Sequence, residues 1–364
     1  MQPAPADARA SELQQRWCRP LAGCAAPELN ASVPAAAPHK QQQQPLPPIV
    51  ALGKFDALHR GHRALAAAAA ALGGAPWMVS FSGMAEVLGW PARLPLVAPC
   101  DRQRVLDSWA PHCRSRQPRE CEIPFAEVRS MSPEAFVQLL ARELQAAGVV
   151  VGSNYRFGYR AAGTAELLQQ LGPQHGMQVQ VLGLVASQHA GAATAQGAAQ
   201  PTDQEQQQQR QQDEQQAAGA DLQAAEPRSP SPEQHAAGQQ DAHAAVSSSR
   251  VRHALAAGDM ADAAACLGRP YRLVASLAEA ASSALPDGPA LRLPAAALLN
   301  QPPGPGTYPV QALLVGADTR DVLLPAWRAQ ARLDEAGITL HGGEGLLARE
   351  GAPLGAAHLC LDFP

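Results

Sequence analysis

The chain has 364 residues, which is enough for two domains or for one large domain with additional segments. Hydrophobic residues make up 46% of the sequence, so a sizeable core can form, and the formal net charge of −4 is small. No stripe of Lys and Arg with interleaved aromatic residues occurs, and the longest apolar stretch, 64–72, is too short to span a bilayer, so the sequence argues against nucleic-acid and membrane partners.

The N-terminal segment, 1–47, is rich in Ala, Pro and Gln and shows no apolar period. Such a composition buries too little surface to offset its ordering entropy, so we expect no fold of its own. Over 7–19, Arg9, Arg16 and Arg19 outnumber Asp7 and Glu12, as in an organellar transit peptide, whereas Ser is sparse. A transit peptide and an ordinary disordered tail therefore remain equal alternatives.

A parallel sheet is predicted to begin at residue 48. Short apolar runs predict strands at 49–52, 77–81, 149–152 and 177–185, and helical patterns lie between them at 63–72, 101–109, 132–147 and 166–171. Alternating strands and helices predict an α/β fold with helices on both faces of the sheet. Because ligands bind outside the carboxyl ends of such strands, the loops after Leu52, Phe81 and Val151 are the candidate site.

The character of the sequence changes at 187–245, which is Gln-rich with a Ser-Pro cluster. We predict a disordered, low-complexity insertion within a folded domain that spans 48–272. Helical patterns resume at 246–267. Beyond them, 273–364 is β-rich, with candidate strands at 291–293, 308–315 and 321–324.

The first chemical motif is GKFDALHRGH (residues 53–62), which joins a predicted strand to a helix. His59 and His62 are three residues apart and would share a helix face beside free backbone N–H groups, where anions bind. Gly61 would let a phosphate approach the backbone. An isolated His-x-Gly-His is more often two surface histidines, but the strand–glycine–helix context favours a triphosphate site.

The second motif, VGSNYRFGYR (151–160), again follows a strand directly. Asn154 can hydrogen-bond a ribose or a ring edge, Phe157 and neighbouring tyrosines can stack on a planar ring, and Arg156 can pair with phosphate. The alternative is a packed aromatic loop with solvated arginines.

The third motif, VSSSRVR (246–252), opens a predicted helix with three hydroxyls. One serine can cap the helix while another, with Arg252, holds a phosphate. The alternative is a plain N-cap beside an exposed arginine.

Taken in this order, the three motifs resemble the FAD synthetase family, the prokaryotic-type FMN adenylyltransferases. That family is marked by G-x-F-D-G-x-H-x-G-H, V-G-x-[DN]-F-R-F-G and I-S-S-T-x-x-R. The likeness covers about 48–271 without the Gln-rich insertion, and 53–62 and 83–90 look like the plastid enzymes of plants and green algae.

The resemblance implies a Rossmann-like nucleotidyltransferase fold, Mg²⁺ with ATP, and direct attack of the FMN phosphate on the α-phosphorus of ATP. FMN is then a substrate and FAD the product, with no partners implied beyond ATP and FMN. It also implies a location in the chloroplast (plastid stroma), the cytoplasm being the alternative.

By position, the resemblance assigns three groups of residues and no metal ligand. The catalytic group contains His59, His62, Ser248, Ser249 and Arg252. The nucleotide-binding group contains Gly53, Phe55, Asp56, Gly61 and Asn154. The flavin-binding group contains Phe81, Asn154, Arg156 and Phe157.

Three departures from the family pattern stand out. Lys54 and Ala57 replace Asn and Gly, so we expect no positive φ at Ala57. Ser249 replaces Thr and keeps the hydroxyl. The kinase motif P-T-A-N of bacterial relatives reads Pro294 followed by three alanines, so 273–364 resembles a degenerate riboflavin kinase barrel that does not phosphorylate riboflavin.

Three other functions remain open at this stage. The protein could be another adenylyl- or cytidylyltransferase with the same histidine loop. It could be a bifunctional enzyme that retains riboflavin kinase activity, or a flavin-binding protein that has lost catalysis.

Overall fold

The computed structural model describes Trp17 and residues 46–187, 245–280, 290–342 and 357–364. The predictions for most of 1–47 and for nearly all of the Gln-rich insertion lie outside these residues. Trp17 lies in the N-terminal segment, for which we expected no fold of its own. Trp17 is 6% exposed and belongs to the same buried apolar cluster as Val50 and Phe136.

The first part of the chain forms the predicted parallel sheet. Its strands and a short hairpin are β1 (Pro48–Leu52), β2 (Ala75–Ser82), β3 (Arg119–Pro124), β4 (Gly148–Gly152), β5 (Arg156–Phe157), β6 (Gly163–Thr164) and β7 (Gln178–Leu182). The sheet has the order β3-β2-β1-β4-β7 and every neighbouring pair is parallel. The antiparallel pair β5-β6 lies outside it.

Both faces of this sheet are covered, which explains why its strands read as continuous apolar runs. Along β1, Val50 and Leu52 join one buried cluster, and Ile49 and Ala51 join another. Among the described residues from 46 onward, the α-helices are α1 (Arg60–Ala71), α2 (Met84–Leu88), α3 (Arg102–Asp107), α4 (Phe125–Val128), α5 (Pro133–Arg142), α6 (Ala165–Leu171), α7 (Ser248–Ala256), α8 (Met260–Leu267) and α9 (Leu277–Ala280).

Helix α5 shows where the predicted boundaries were right and where they were wrong. Its predicted N-cap is confirmed, since the Ser132 hydroxyl accepts a hydrogen bond from the Ala135 N–H at 3.2 Å. The helix ends at Arg142 and not at Ala147. Gln145 takes a left-handed φ of 51°, which turns the chain toward β4 before the predicted end.

The C-terminal part is an antiparallel sheet of six strands: β8 (Tyr271–Ser276), β9 (Ala290–Pro294), β10 (Gly306–Val315), β11 (Val322–Asp334), β12 (Gly337–His341) and β13 (His358–Phe363). Their order is β8-β13-β10-β11-β12-β9. Strands β8 and β9 lie at the two edges of this sheet. A bridge between Ala275 of β8 and Leu298, which follows β9, brings the two edges together, so the sheet curls toward a barrel. The predicted fold class, α/β with a β-rich C-terminal region, is confirmed.

The two parts of the chain share a hydrophobic core. Val251 and Leu255 of α7 belong to one buried cluster with Leu273 of β8 and Phe363 of β13. The C-terminal sheet therefore packs directly on the helix that follows the insertion. Within the described ranges, no helix has the length and apolar character needed to cross a membrane.

Candidate active site

The candidate site lies where the strand order reverses. β1 is flanked by β2 on one side and by β4 on the other, so the loops after these strands diverge at their carboxyl ends. Crevices at this switch point are the usual ligand sites of open α/β sheets. The fold brings the first motif, after β1, beside the start of the second, after β4.

The two histidines of the first motif form a stacked pair. The ring centroids of His59 and His62 are 3.6 Å apart and the planes differ by 17°. His59 is the N-cap of α1, and its Nδ1 accepts hydrogen bonds from the N–H groups of Gly61 at 3.1 Å and His62 at 3.4 Å. The expectation that these N–H groups are free for an anion is therefore wrong. An accepting Nδ1 leaves the proton of a neutral His59 on Nε2.

Gly61 leaves space for the imidazole ring of His59, because it has no side chain. A Cβ at Gly61 would lie 2.9 Å from His59 Cε1 and 3.4 Å from a methyl group of Val246. The missing side chain therefore makes room for the capping ring, whereas the sequence suggested room for a phosphate.

Both histidines are neutral near pH 7. Burial, reinforced by the charge of Arg269, lowers the pKa of His59 to about 4. Burial and the neighbouring His59 and Arg102 hold the pKa of His62 well below its usual range. The buried Nδ1 of His62 has no hydrogen-bond partner within the described part of the chain, so it can accept one from a ligand or a water molecule.

Arg269 fixes the loop that carries the histidines, a role that the sequence did not predict. Its guanidinium donates to the carbonyl oxygens of Leu58 at 2.7 Å and Ala57 at 3.1 Å. Burial lowers its pKa to about 10, still well above neutral pH, so the charge is kept. In the sequence, Arg269 lies only near the end of the stretch, about 48–271, that resembles the FAD synthetase family.

Arg102 holds the other end of the same loop. It donates to the carbonyl of Phe55 at 2.9 Å, while its Nε lies 3.0 and 2.9 Å from the carboxylate oxygens of Glu120. Phe55 has a left-handed φ of 49°. A buried, paired arginine thus supports an unusual backbone turn, and no local pattern in the sequence indicated it.

Phe55 and Gly53 shape the floor of the site. The Phe55 side chain is fully buried, and its ring meets His62 edge-on at 5.0 Å. The Phe55 side chain therefore packs against His62 and helps to hold its ring in place. A Cβ at Gly53 would lie 2.9 Å from the Phe55 ring, so this glycine permits the packing. As expected, Ala57 has no positive φ; Phe55 and Leu58 have it.

An ion pair joins the first motif to the third. Arg252 Nη2 donates to Asp56 Oδ2 at 2.6 Å, although 196 positions separate the two residues. The other carboxylate oxygen of Asp56 accepts from the Leu96 N–H at 2.9 Å. Asp56 therefore joins the first motif to α7 and to the segment around Leu96. The side chains of Asp56 and Arg252 are both partly exposed.

One of the three serines at the start of α7 caps the helix, as the third motif suggested. Ser247 caps the helix by accepting from the Arg250 N–H at 3.1 Å. Ser248 and Ser249 lie in the first turn, where Ser248 is half-buried and Ser249 is exposed. Both serines lie in the same helix as Arg252, three and four residues before it.

The predicted flavin residues fall into an exposed and a buried set. Asn154 lies in the loop after β4 and Arg156 begins β5, and both are exposed, whereas Phe81 is half-buried near the end of β2. Phe157 is 5% exposed and its ring lies 5.5 Å from that of Phe136 and 6.1 Å from that of Tyr155. Its expected stacking on a flavin needs correction, because the ring packs in the protein core.

The described residues thus form a Rossmann-like nucleotidyltransferase-type fold with a histidine pair after its first strand. Residues 121–194 match a family model that is described as FAD synthetase. Two relatives come from Arabidopsis thaliana. The chloroplastic FAD synthetase 2 is 41% identical to this chain over 271 residues, and the chloroplastic FAD synthetase 1 is 42% identical over 268 residues. These alignments each cover 74% of this chain, and the resemblance to FAD synthetases is confirmed.

The chain spans less than two thirds of these relatives, 62% and 64% of their lengths. Among solved structures, a macrolide-efflux protein from Streptococcus pneumoniae matches with a TM-score of 0.55 at 17% identity. That match covers 88% of this chain and 85% of the other, and it concerns the fold alone.

Proposed function

We propose that this protein is an FMN adenylyltransferase that makes FAD from FMN and ATP. The observation that carries the proposal is the stacked pair of His59 and His62 at the switch point of the sheet, linked to α7 through Asp56 and Arg252. The similarity to two plant FAD synthetases supports FMN as the acceptor.

In this reaction a phosphate oxygen of FMN forms a bond to the α-phosphorus of ATP. The bond from that phosphorus to the bridging oxygen breaks, and pyrophosphate leaves. Neutral imidazoles suit this step, since each offers an N–H to the oxygens on which negative charge accumulates. The Nε2–H of His59 is already oriented by the bonds that its Nδ1 accepts.

Ser248, Ser249 and Arg252 are proposed to hold the phosphate chain, with Gly53, Asp56 and Asn154 near the nucleotide. Phe81 and Arg156 are proposed on the flavin side. Mg²⁺ enters as the complex with ATP, and we assign it no protein ligand. Within the described residues, no group of three or more His, Cys, Asp or Glu side chains is arranged to hold a metal ion.

We further propose that the C-terminal sheet does not phosphorylate riboflavin. The segment in the place of the kinase motif is a short 3-10 helix, Ala295–Ala297, which offers only methyl groups. Thr307, whose hydroxyl is another candidate phosphate ligand in this region, is exposed on β10 opposite Arg332. Asp334 accepts from the Ala336 N–H at 3.0 Å and so stabilises the turn between β11 and β12.

A plastid location is proposed on the names of the two plant relatives, which are chloroplastic. Import of a fluorescent fusion of the full chain into plastids would support it, and a purely cytoplasmic fusion would contradict it.

The decisive assay supplies purified protein with ATP and Mg²⁺ and with FMN or riboflavin in separate reactions. Chromatography should detect FAD from FMN and no FMN from riboflavin. His59→Gln and His62→Gln should each lower FAD formation by roughly 10²–10³. His112→Gln, at an exposed position, is the matched control. A double histidine variant with near-normal turnover would refute the assignment.

A further inference from the structure

A residue of the kinase-like region reaches the proposed phosphate-binding arginine. Gln301 lies in the connection between β9 and β10, outside the parallel sheet. Its side-chain oxygen accepts a hydrogen bond from Arg252 Nη1. Its amide nitrogen lies 3.5 Å from the backbone carbonyl of Arg252, so one side chain contacts both ends of the arginine.

The same connection also fixes the segment 94–96, which approaches Arg252 from another side. The Gln301 N–H donates to the Pro95 carbonyl at 2.9 Å. Arg252 Nη1 donates to the Leu94 carbonyl at 3.1 Å, and the Leu96 N–H donates to Asp56 at 2.9 Å. These bonds close a ring that runs through residues far apart in sequence.

The base of Gln301 is rigid because its neighbour Asn300 is fully buried. The Asn300 amide accepts from the Val274 N–H at 2.9 Å and donates to the Arg272 carbonyl at 2.8 Å and the Leu96 carbonyl at 3.3 Å. A long flexible arginine can be held in one orientation only if its acceptors are themselves fixed. The C-terminal sheet provides that fixed acceptor.

The chemistry of Gln301 suits orientation without neutralisation. Asp56 already supplies one negative charge to Arg252 at 2.6 Å. A neutral amide oxygen aligns a second N–H of the guanidinium and leaves its remaining charge for a phosphate. A carboxylate at this position would compete with that phosphate.

We propose that Gln301 is a positioning residue for adenylyl transfer, which makes the kinase-like region part of the adenylyltransferase site. The inference rests on the proposed function, in which Arg252 holds the phosphate chain. It gives the C-terminal sheet a role in FAD synthesis that does not require kinase activity.

The test is a double-mutant cycle on the full-length protein with ATP, Mg²⁺ and FMN. Gln301→Met keeps the size of the side chain and removes both polar atoms. It should lower kcat/KM for ATP about tenfold, the effect of losing one hydrogen bond to a charged group, and leave KM for FMN nearly unchanged. Gln311→Met, on the exposed face of β10, is the matched control and should behave as the wild type.

The cycle separates positioning from simple loss of stability. In an Arg252→Met background, Gln301→Met should have little further effect on kcat/KM, because the two residues act as one unit. Equal losses in both backgrounds, or wild-type kinetics for Gln301→Met, would overturn the proposal.

A second variant covers failure of the first to fold. Gln301→Glu keeps a polar side chain of the same size but adds a carboxylate beside Arg252, and it should raise KM for ATP. Unchanged KM in this variant would also overturn the proposal. By contrast, absence of FAD from the wild type, or an Arg252→Met variant of full activity, would contradict the proposed function itself.

Discussion

Replacement of Asn300 by Leu should strongly destabilise the protein, although the two side chains have the same branched shape and the same number of heavy atoms. Asn300 is fully buried, and its amide completes the open edge of β8 through the Val274 N–H and the Arg272 carbonyl. Leucine would leave these two main-chain groups in the interior without partners. The main cost therefore comes from lost hydrogen bonds, because the larger Leu leaves no cavity, and its extra volume adds to the destabilisation.

The magnitude follows from the number of groups left unpaired. Each buried unsatisfied group costs about 1–3 kcal/mol, so two of them should lower the free energy of unfolding by about 3 kcal/mol or more. For a domain of this size, that corresponds to a fall in Tm of roughly 6–12 °C. The bonds from Asn300 to Leu96 and Tyr271 would be lost as well.

Calorimetry and urea unfolding of the wild type and Asn300→Leu measure this effect directly. Gln311→Leu introduces the same side chain at an exposed position of β10 and is the control. A variant whose free energy of unfolding stayed within about 0.5 kcal/mol of the wild type would refute the reasoning, because that is the range of neutral surface changes.

Three further predictions concern the histidine loop and the insertion. Gly61→Ala should displace the His59 ring and lower FAD formation at least about tenfold with little change in Tm; normal activity would contradict the role given to this glycine. The pKa of His59 is about 4 in the fold against 6.5 ordinarily, so the unfolded chain binds its proton first as the pH falls. The free energy of unfolding should therefore be highest above pH 6.5 and should fall by up to about 3 kcal/mol as the pH drops to 4. In His59→Gln the free energy of unfolding should depend less on pH over this range. Deleting 188–244 with a short Gly-Ser bridge should preserve folding and activity, because Ala186 and Ala245 already pair in an antiparallel bridge. Loss of folding with two bridge lengths would show that the deleted segment is structural.

The sheet was predictable because its strands are buried on both faces. Val50 and Ile49 point into different cores, so the sequence shows an unbroken apolar run with sharp ends. Helix ends were harder to predict, since they depend on single residues with special backbone angles. Gln145 has a left-handed φ, and His59 acts as an N-cap although histidine is not a preferred capping residue.

The motifs predicted which loops meet, but not the contacts that hold them. Asp56 and Arg252 were assigned separately, and their ion pair depends on how two distant segments pack. The bonds from Arg269 to the backbone of the histidine loop have the same origin. Local sequence patterns indicate helices, strands and turns. A hydrogen bond from a side chain to a carbonyl far away in the sequence produces no such pattern, so it could not be predicted.

The bridged ends of the Gln-rich segment also make this position suitable for protein engineering. Ala186 pairs with Ala245, and the Val246 N–H donates to the Val185 carbonyl at 2.8 Å, so a guest domain with adjacent termini would fit without separating the flanking chain. Helix α7 begins at Ser248, only two residues beyond Val246. A fluorescent guest protein inserted here would lie close in sequence to that helix, which carries Ser248, Ser249 and Arg252 of the proposed site.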